Sequence, residues 1–164
     1  MAGYGTDDLF AAWVVETGHE VPADAPAPAI LRQRASDYID GLYGVRFKGV
    51  PAGGFEQERA WPRAGAVVHR QAIPDDVIPD AVIRSSHAAA LYEAQNPGGL
   101  AVAVSASGAV KRERIEGAVD TEYFEGSGDV AADATIKLSA VEGLLAPFLK
   151  TEETGGAFWM RSVG

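Results

Sequence analysis

Cysteine is absent from this chain, which excludes a disulfide framework, a thiolate metal site and a cysteine nucleophile. Long apolar runs are missing too. No stretch approaches the roughly 20 residues that a membrane-spanning helix needs. The first residues carry neither a basic flank nor a signal-like apolar core, so the chain is expected to fold inside the cell. Basic side chains are in deficit: 14 Lys and Arg face 23 Asp and Glu, for a formal charge of −9. That balance weakens any role in which the whole surface clings to phosphates, although a local basic patch remains compatible with it. It suits a wall past which DNA slides without sticking, although simple solubility is the commoner explanation.

Recognisable chemistry is also scarce. His19, His69 and His87 fall on three different predicted elements with no ligand spacing between them. No Gly-rich phosphate loop follows a strand, and no nucleophile elbow is present. Asp75 and Asp76 could bind a cation, but charge at a helix start accounts for them better. The reading is therefore a non-enzyme with no catalytic residue, no cofactor and no metal ligand.

What the sequence does hold is one domain's worth of core. Among its 164 residues 47% are apolar and 23% charged, as in ordinary globular proteins. The organising stretch is 60–96, where Trp61-Pro62-Arg63 leads through an irregular crossing into one long helix. Ile73-Pro74-Asp75-Asp76-Val77-Ile78-Pro79-Asp80 starts it, with Pro79 in the first turn and the acids against the helix dipole. Asn96-Pro97-Gly98-Gly99 ends it. Ile83, His87, Ala90 and Ala94 form an apolar stripe that Val82, Ala89 and Leu91 widen. His87 is expected to be a hydrogen-bonded core histidine.

Upstream, Thr6 caps a helix through Leu9–Val15 that stops at Gly18, with Leu9 or Phe10 and Trp13 on its apolar face. The prolines of 22–28 form a stiff connector. A second helix spans about Ala27 to Leu42, with Ile30, Leu31, Ala35, Tyr38, Ile39 and Leu42 inward and Arg32, Gln33, Asp37 and Asp40 outward. Tyr38 and Tyr43 keep hydroxyls at the core edge. Residues 45–70 show no clean period, and Trp61 there reads as a plug over the core. Downstream, Leu100–Val104 is a candidate strand, and 109–124 a hairpin around Glu116-Gly117-Ala118. A three-residue loop sets Ile115 against Val119, Arg114 against Asp120 and Arg112 against Glu122. A two-residue loop would oppose Glu113 and Asp120, so the three-residue register is preferred. Ser139–Leu149 is a last short helix capped by Ser139 and kinked or ended by Pro147.

Two segments qualify as contact surfaces. Lys111-Arg112-Glu113-Arg114 is the basic cluster worth weighing, but cross-strand acids neutralise it as a nucleic-acid footprint. Phe158-Trp159-Met160-Arg161 follows a Gly-Gly spacer and uses residue types enriched at protein interfaces. It either docks on another subunit, or folds back on its own core or pairs with the strands.

Several motifs in order then resemble a phage family. They are Ile30–Asp40, Ala60–Arg63, Ile73–Val82, Val110–Gly117 through Tyr123, and Val141–Leu149. Their order and spacing resemble small proteins of tailed phages and prophages described as DnaT-like single-stranded DNA-binding. That group is similar to head–tail connector (adaptor) proteins docking beneath the portal. The resemblance implies a mainly α (α+β) fold: a compact helical bundle with a central long helix, an inserted β-hairpin and an extended C-terminal arm. The helical connector domain would cover 1–154 with its β insertion near 100–138, and the docking arm 155–164. It further implies a dodecameric homo-oligomeric ring in the virion neck, formed in the host cytoplasm during assembly, without membrane contact. The ring would bind the portal protein, receive a neck, stopper or tail-completion protein, and pass double-stranded DNA without sequence-specific binding. Phe158, Trp159, Met160 and Arg161 would dock on portal or neighbour, and Lys111, Arg112, Arg114 and Tyr123 would make the hairpin contact. The alternative is a single-stranded DNA-binding protein of phage replication, which needs stacking aromatics in a basic groove.

Overall fold

A computed structural model describes residues 2–100 and 138–151, with the strand backbones 114–115 and 119–120. Within that set four helices carry the fold: α1 (Asp7–Glu16), α2 (Pro28–Tyr43), α3 (Asp80–Gln95) and α4 (Ser139–Leu145). Six two-residue strands pair as antiparallel ladders. They are β1 (Val50–Pro51) with β2 (Arg63–Ala64), β3 (Val67–Val68) with β4 (Gln71–Ala72), and β5 (Arg114–Ile115) with β6 (Val119–Asp120). The fold is the mainly helical α+β class that the sequence predicts.

Helix α1 begins where a side chain can satisfy its first free N–H groups. Thr6 Oγ1 accepts from the Leu9 N–H at 3.2 Å, with Asp7 and Asp8 in the first turn. Phe10 and Val14 are buried, whereas Leu9 is exposed, so Phe10 is the partner of the partly buried Trp13. Along α2, Leu31, Ala35 and Ile39 are buried as their spacing predicts. Two α2 residues depart from the amphipathic pattern. Ile30, expected inward, is exposed, and Arg32, expected outward, is buried. The cause is the N-terminal strap laid over that face. Arg32 donates to Asp7 and to the carbonyls of Gly3, Tyr4 and Gly5 at 2.8–3.2 Å. A Cβ on Gly3 would sit 2.5 Å from the Arg32 carbonyl, so the strap is as close as backbone can approach. Tyr43 is wholly buried rather than at the core edge, with its ring edge-on to Tyr38 at 6.5 Å.

Helix α3 starts at Asp80, with Pro79 as its cap. Asp75 and Asp76 sit in a preceding turn, so Asp80 alone provides first-turn charge, which corrects the wider acidic start expected. The predicted stripe is buried except at Ile83, which is partly buried, and Ser85, Ser86, Tyr92 and Glu93 are buried too, because α1, α2 and α4 all pack on this helix. Its small side chains allow close approach: Ser36 Oγ on α2 lies 3.1 Å from Ser86 Oγ, and it also accepts from the Tyr4 N–H.

Residues 45–70, aperiodic in sequence, carry the first two ladders together with Gln71 and Ala72. Trp61 plugs the core, edge-on to Phe47 at 5.6 Å and to Phe148 at 6.0 Å. Arg63 is buried beneath this crossing, donating to the carbonyls of Phe47, Lys48, Gly49 and Ala60. One guanidinium thereby supplies donors that a regular sheet would otherwise provide. Leu138, not Ser139, occupies the cap position of α4, and Pro147 falls in the 3-10 turn Ala146–Phe148 that ends it.

The backbone register of β5 and β6 sets Arg114 opposite Asp120 and Ile115 opposite Val119, as the three-residue loop predicts. The pairing of Arg112 with Glu122, the strand beyond Leu100 and the arm from 152 onward lie outside the described residues.

Candidate interface

The expected contact residues fall mainly outside the described structure. That holds for Phe158, Trp159, Met160, Arg161, Lys111, Arg112 and Tyr123, and for the side chain of Arg114, whose backbone is placed in β5. What is described is the root of the C-terminal arm. Lys48 N–H donates to the Phe148 carbonyl at 2.9 Å, and Lys150 N–H to the Arg46 carbonyl at 2.7 Å. With Phe47 bridged to Leu149, these bonds make residues 148–150 a short antiparallel addition to 46–48. Lys48 Nζ donates to the Pro147 carbonyl at 2.7 Å, and Lys150 Nζ to the Val45 carbonyl at 3.2 Å. Residues 148–150 are thereby held beside 45–48.

The stretch 45–67 that follows carries exposed apolar side chains. Val45, Val50, Phe55 and Val67 are all exposed, and Phe55, at 97%, projects almost its whole ring into solvent. Phe55 lies in the 3-10 turn Gly54–Glu56 between β1 and β2. Sequence reading passed over it, although a phenylalanine straight after Gly53-Gly54 has no periodic neighbour with which to be buried.

Charge is arranged in the opposite sense, inward and paired. Arg34 meets the buried Glu93 at 2.9 Å, and Arg59 meets Asp37 at 2.6 Å and Asp40 at 3.3 Å. Tyr4 donates its hydroxyl to Asp40 at 2.5 Å and accepts the Trp61 N–H at 3.2 Å. Burial raises the pKa of Asp40, and the hydrogen bonds from Tyr4 and Arg59 oppose that rise. Burial would lower that of Arg59, but Asp37 and Asp40 more than reverse it. This cluster ties the strap, α2 and the Trp61 crossing into one unit. It is a clamp for the fold, with its charges consumed locally.

His87 corrects an expectation. It is buried between Phe10 and Trp13, with ring centroids at 5.5 and 5.9 Å, yet neither ring nitrogen has a hydrogen-bond partner among the described residues. Burial, with a smaller contribution from Arg32, pushes its pKa down to about 4. Among the described residues no group of three or more His, Asp or Glu is placed to hold a metal ion. No described helix is long and apolar enough to cross a membrane.

Comparison with known proteins adds one match. No curated protein and no solved structure matches the chain. A family model with the description "Putative DnaT-like ssDNA binding protein" matches residues 4–163, from the buried Tyr4 of the strap to the end of the arm. By that match over nearly its whole length, the chain belongs to this DnaT-like family.

Proposed function

We propose that this chain is a structural connector of a tailed phage. Twelve copies form a ring that docks under the portal, extends the DNA channel and offers a platform to the next neck or tail-completion protein. The observation that carries this reading is how the described cations are used. Arg32, Arg34, Arg59 and Arg84 face acids of their own chain, while Arg63, Lys48 and Lys150 donate to its carbonyls. The described rings of Tyr4, Phe10, Tyr43, Phe47 and Trp61 are buried. A strand-gripping groove needs several free cations among exposed stacking rings; among the described residues one cation, Arg70, lacks such a partner and the exposed Phe55 ring lies in a different turn, so the arrangement favours a wall over a groove. The exposed apolar residues of 45–67 support protein contacts. The ordered motifs 30–40, 60–63, 73–82 and 141–149 support the phage assignment.

A second reading is a single-stranded DNA-binding protein of phage replication. The family description favours it directly, since it names single-stranded DNA and says nothing of a portal. One pair of measurements separates the two. Mixing the chain with its phage's portal and imaging by electron microscopy should give a twelve-membered collar. Titrating labelled single-stranded DNA at increasing salt should give weak binding. Tight binding that falls steeply with salt, without a collar on the portal, would instead establish the replication role.

A further inference from the structure

The turn joining β3 to β4 is built from residues that such a turn normally avoids. Val68 pairs with Gln71, so His69 and Arg70 form a two-residue hairpin loop. Both have left-handed backbones, with φ of 51° and 66°. That is the geometry of a type I′ turn, where Asn-Gly is the favoured pair. Histidine tolerates this region better than most residues with a Cβ, and a long side chain such as arginine is strained in it. Nothing in the packing demands these two side chains, because both are exposed.

An independent observation concerns charge. Other described arginines and lysines with described side chains are engaged by their own chain: seven are named above, Arg63 among them, and Arg46 lies over the Tyr43 ring. Arg70 is the exception, making no hydrogen bond or ion pair with another described residue, although Asp75 and Asp76 follow closely in the chain. The hairpin thus holds up a guanidinium that no described acid neutralises, with an imidazole beside it, on a tip whose backbone would be more relaxed without either.

We propose that the His69–Arg70 tip is a contact for the phosphate backbone of a nucleic acid strand. The inference rests on DNA meeting this protein, which both readings above require. Guanidinium and imidazole can each donate to phosphate oxygens, and both are planar enough to lie against a base. On a chain of charge −9 a single such contact per subunit is weak and holds no sequence information, which suits DNA that has to move.

The test uses the full chain, isotope-labelled, with single-stranded and duplex oligonucleotides at low salt, read by NMR shift mapping. Shifts should centre on Val68–Gln71 and fade as salt rises. The double variant His69→Asn, Arg70→Gly should bind roughly tenfold more weakly, and its dependence of log K on log salt should be shallower by about 1. The same variant should unfold about 2–4 °C higher, because the strained pair is gone, so weaker binding cannot be put down to misfolding. Arg70→Lys should keep most of the binding. Shifts elsewhere on the surface, or a double variant that binds as tightly as the parent, would overturn the tip while leaving DNA contact standing. No shifts with either oligonucleotide would remove DNA contact altogether. Lost assembly on the portal with unchanged oligonucleotide binding would make the tip a protein contact instead.

Discussion

His87 is the residue whose chemistry most directly governs this fold. Its imidazole sits among aromatic rings without a hydrogen-bond partner in the described structure, and its pKa falls to about 4 from an ordinary 6.5. Folding therefore favours the neutral ring, while the unfolded chain takes up a proton once pH falls below about 6.5. The stabilisation is complete above that value and is lost as pH drops towards 4. His87→Leu removes the titration. Urea unfolding at pH 7 and pH 4.5 should show the parent losing roughly 1–3 kcal/mol more than the variant. Equal losses would mean that the ring finds a proton acceptor. The strain at His69 and Arg70 belongs to the same scale, and its removal is predicted to separate stability from binding.

At the scale of elements, the end of α3 shows how one buried charge directs the chain. Glu93, 2% exposed, accepts from Arg34, from the Gly98 N–H at 3.0 Å and from the Leu100 N–H at 3.1 Å. A carboxylate on the helix thus organises the turn from which the 101–137 stretch departs. Glu93→Ala leaves two backbone donors and Arg34 without that acceptor, and should cost about 2–3 kcal/mol in urea unfolding. Hydrogen exchange at Gly98 and Leu100 should rise together, and unchanged protection there would show that the turn holds itself. The helices were legible from sequence because capping and periodicity are local: Thr6, Asn96 and Pro147 mark ends within a residue or two. The ladders of 50–72 were not legible. Each strand is two residues long, too short for a period of two to show, and Arg63 holds the crossing through carbonyls far from it in no fixed pattern.

At the scale of the molecule, the described core draws its side chains from 2–100 and 138–151. Residues 148–150 are pinned to 46–48, and Tyr4, Phe10, Ile39, Trp61, Val82 and Leu145 belong to one buried cluster. Deleting 155–164 should therefore leave the unfolding midpoint within about 2 °C of the parent. On the connector reading the same deletion should abolish docking on the portal in a pull-down. A large drop in midpoint would instead mean that Phe158 and Trp159 pack on their own domain.

The amino-acid order determined the helices, the class of fold and the register of the 114–120 hairpin, since each follows from neighbours a few residues apart. It also placed the chain among DnaT-like proteins, because ordered motifs need no coordinates to be matched. Only the tertiary structure decided that Arg32 is buried and Ile30 exposed, and that among the described residues His87 lacks a hydrogen-bond partner and Arg70 an ion pair on its strained tip. Those outcomes depend on which distant segments cover a face or bring a carboxylate within reach, and no local pattern encodes that.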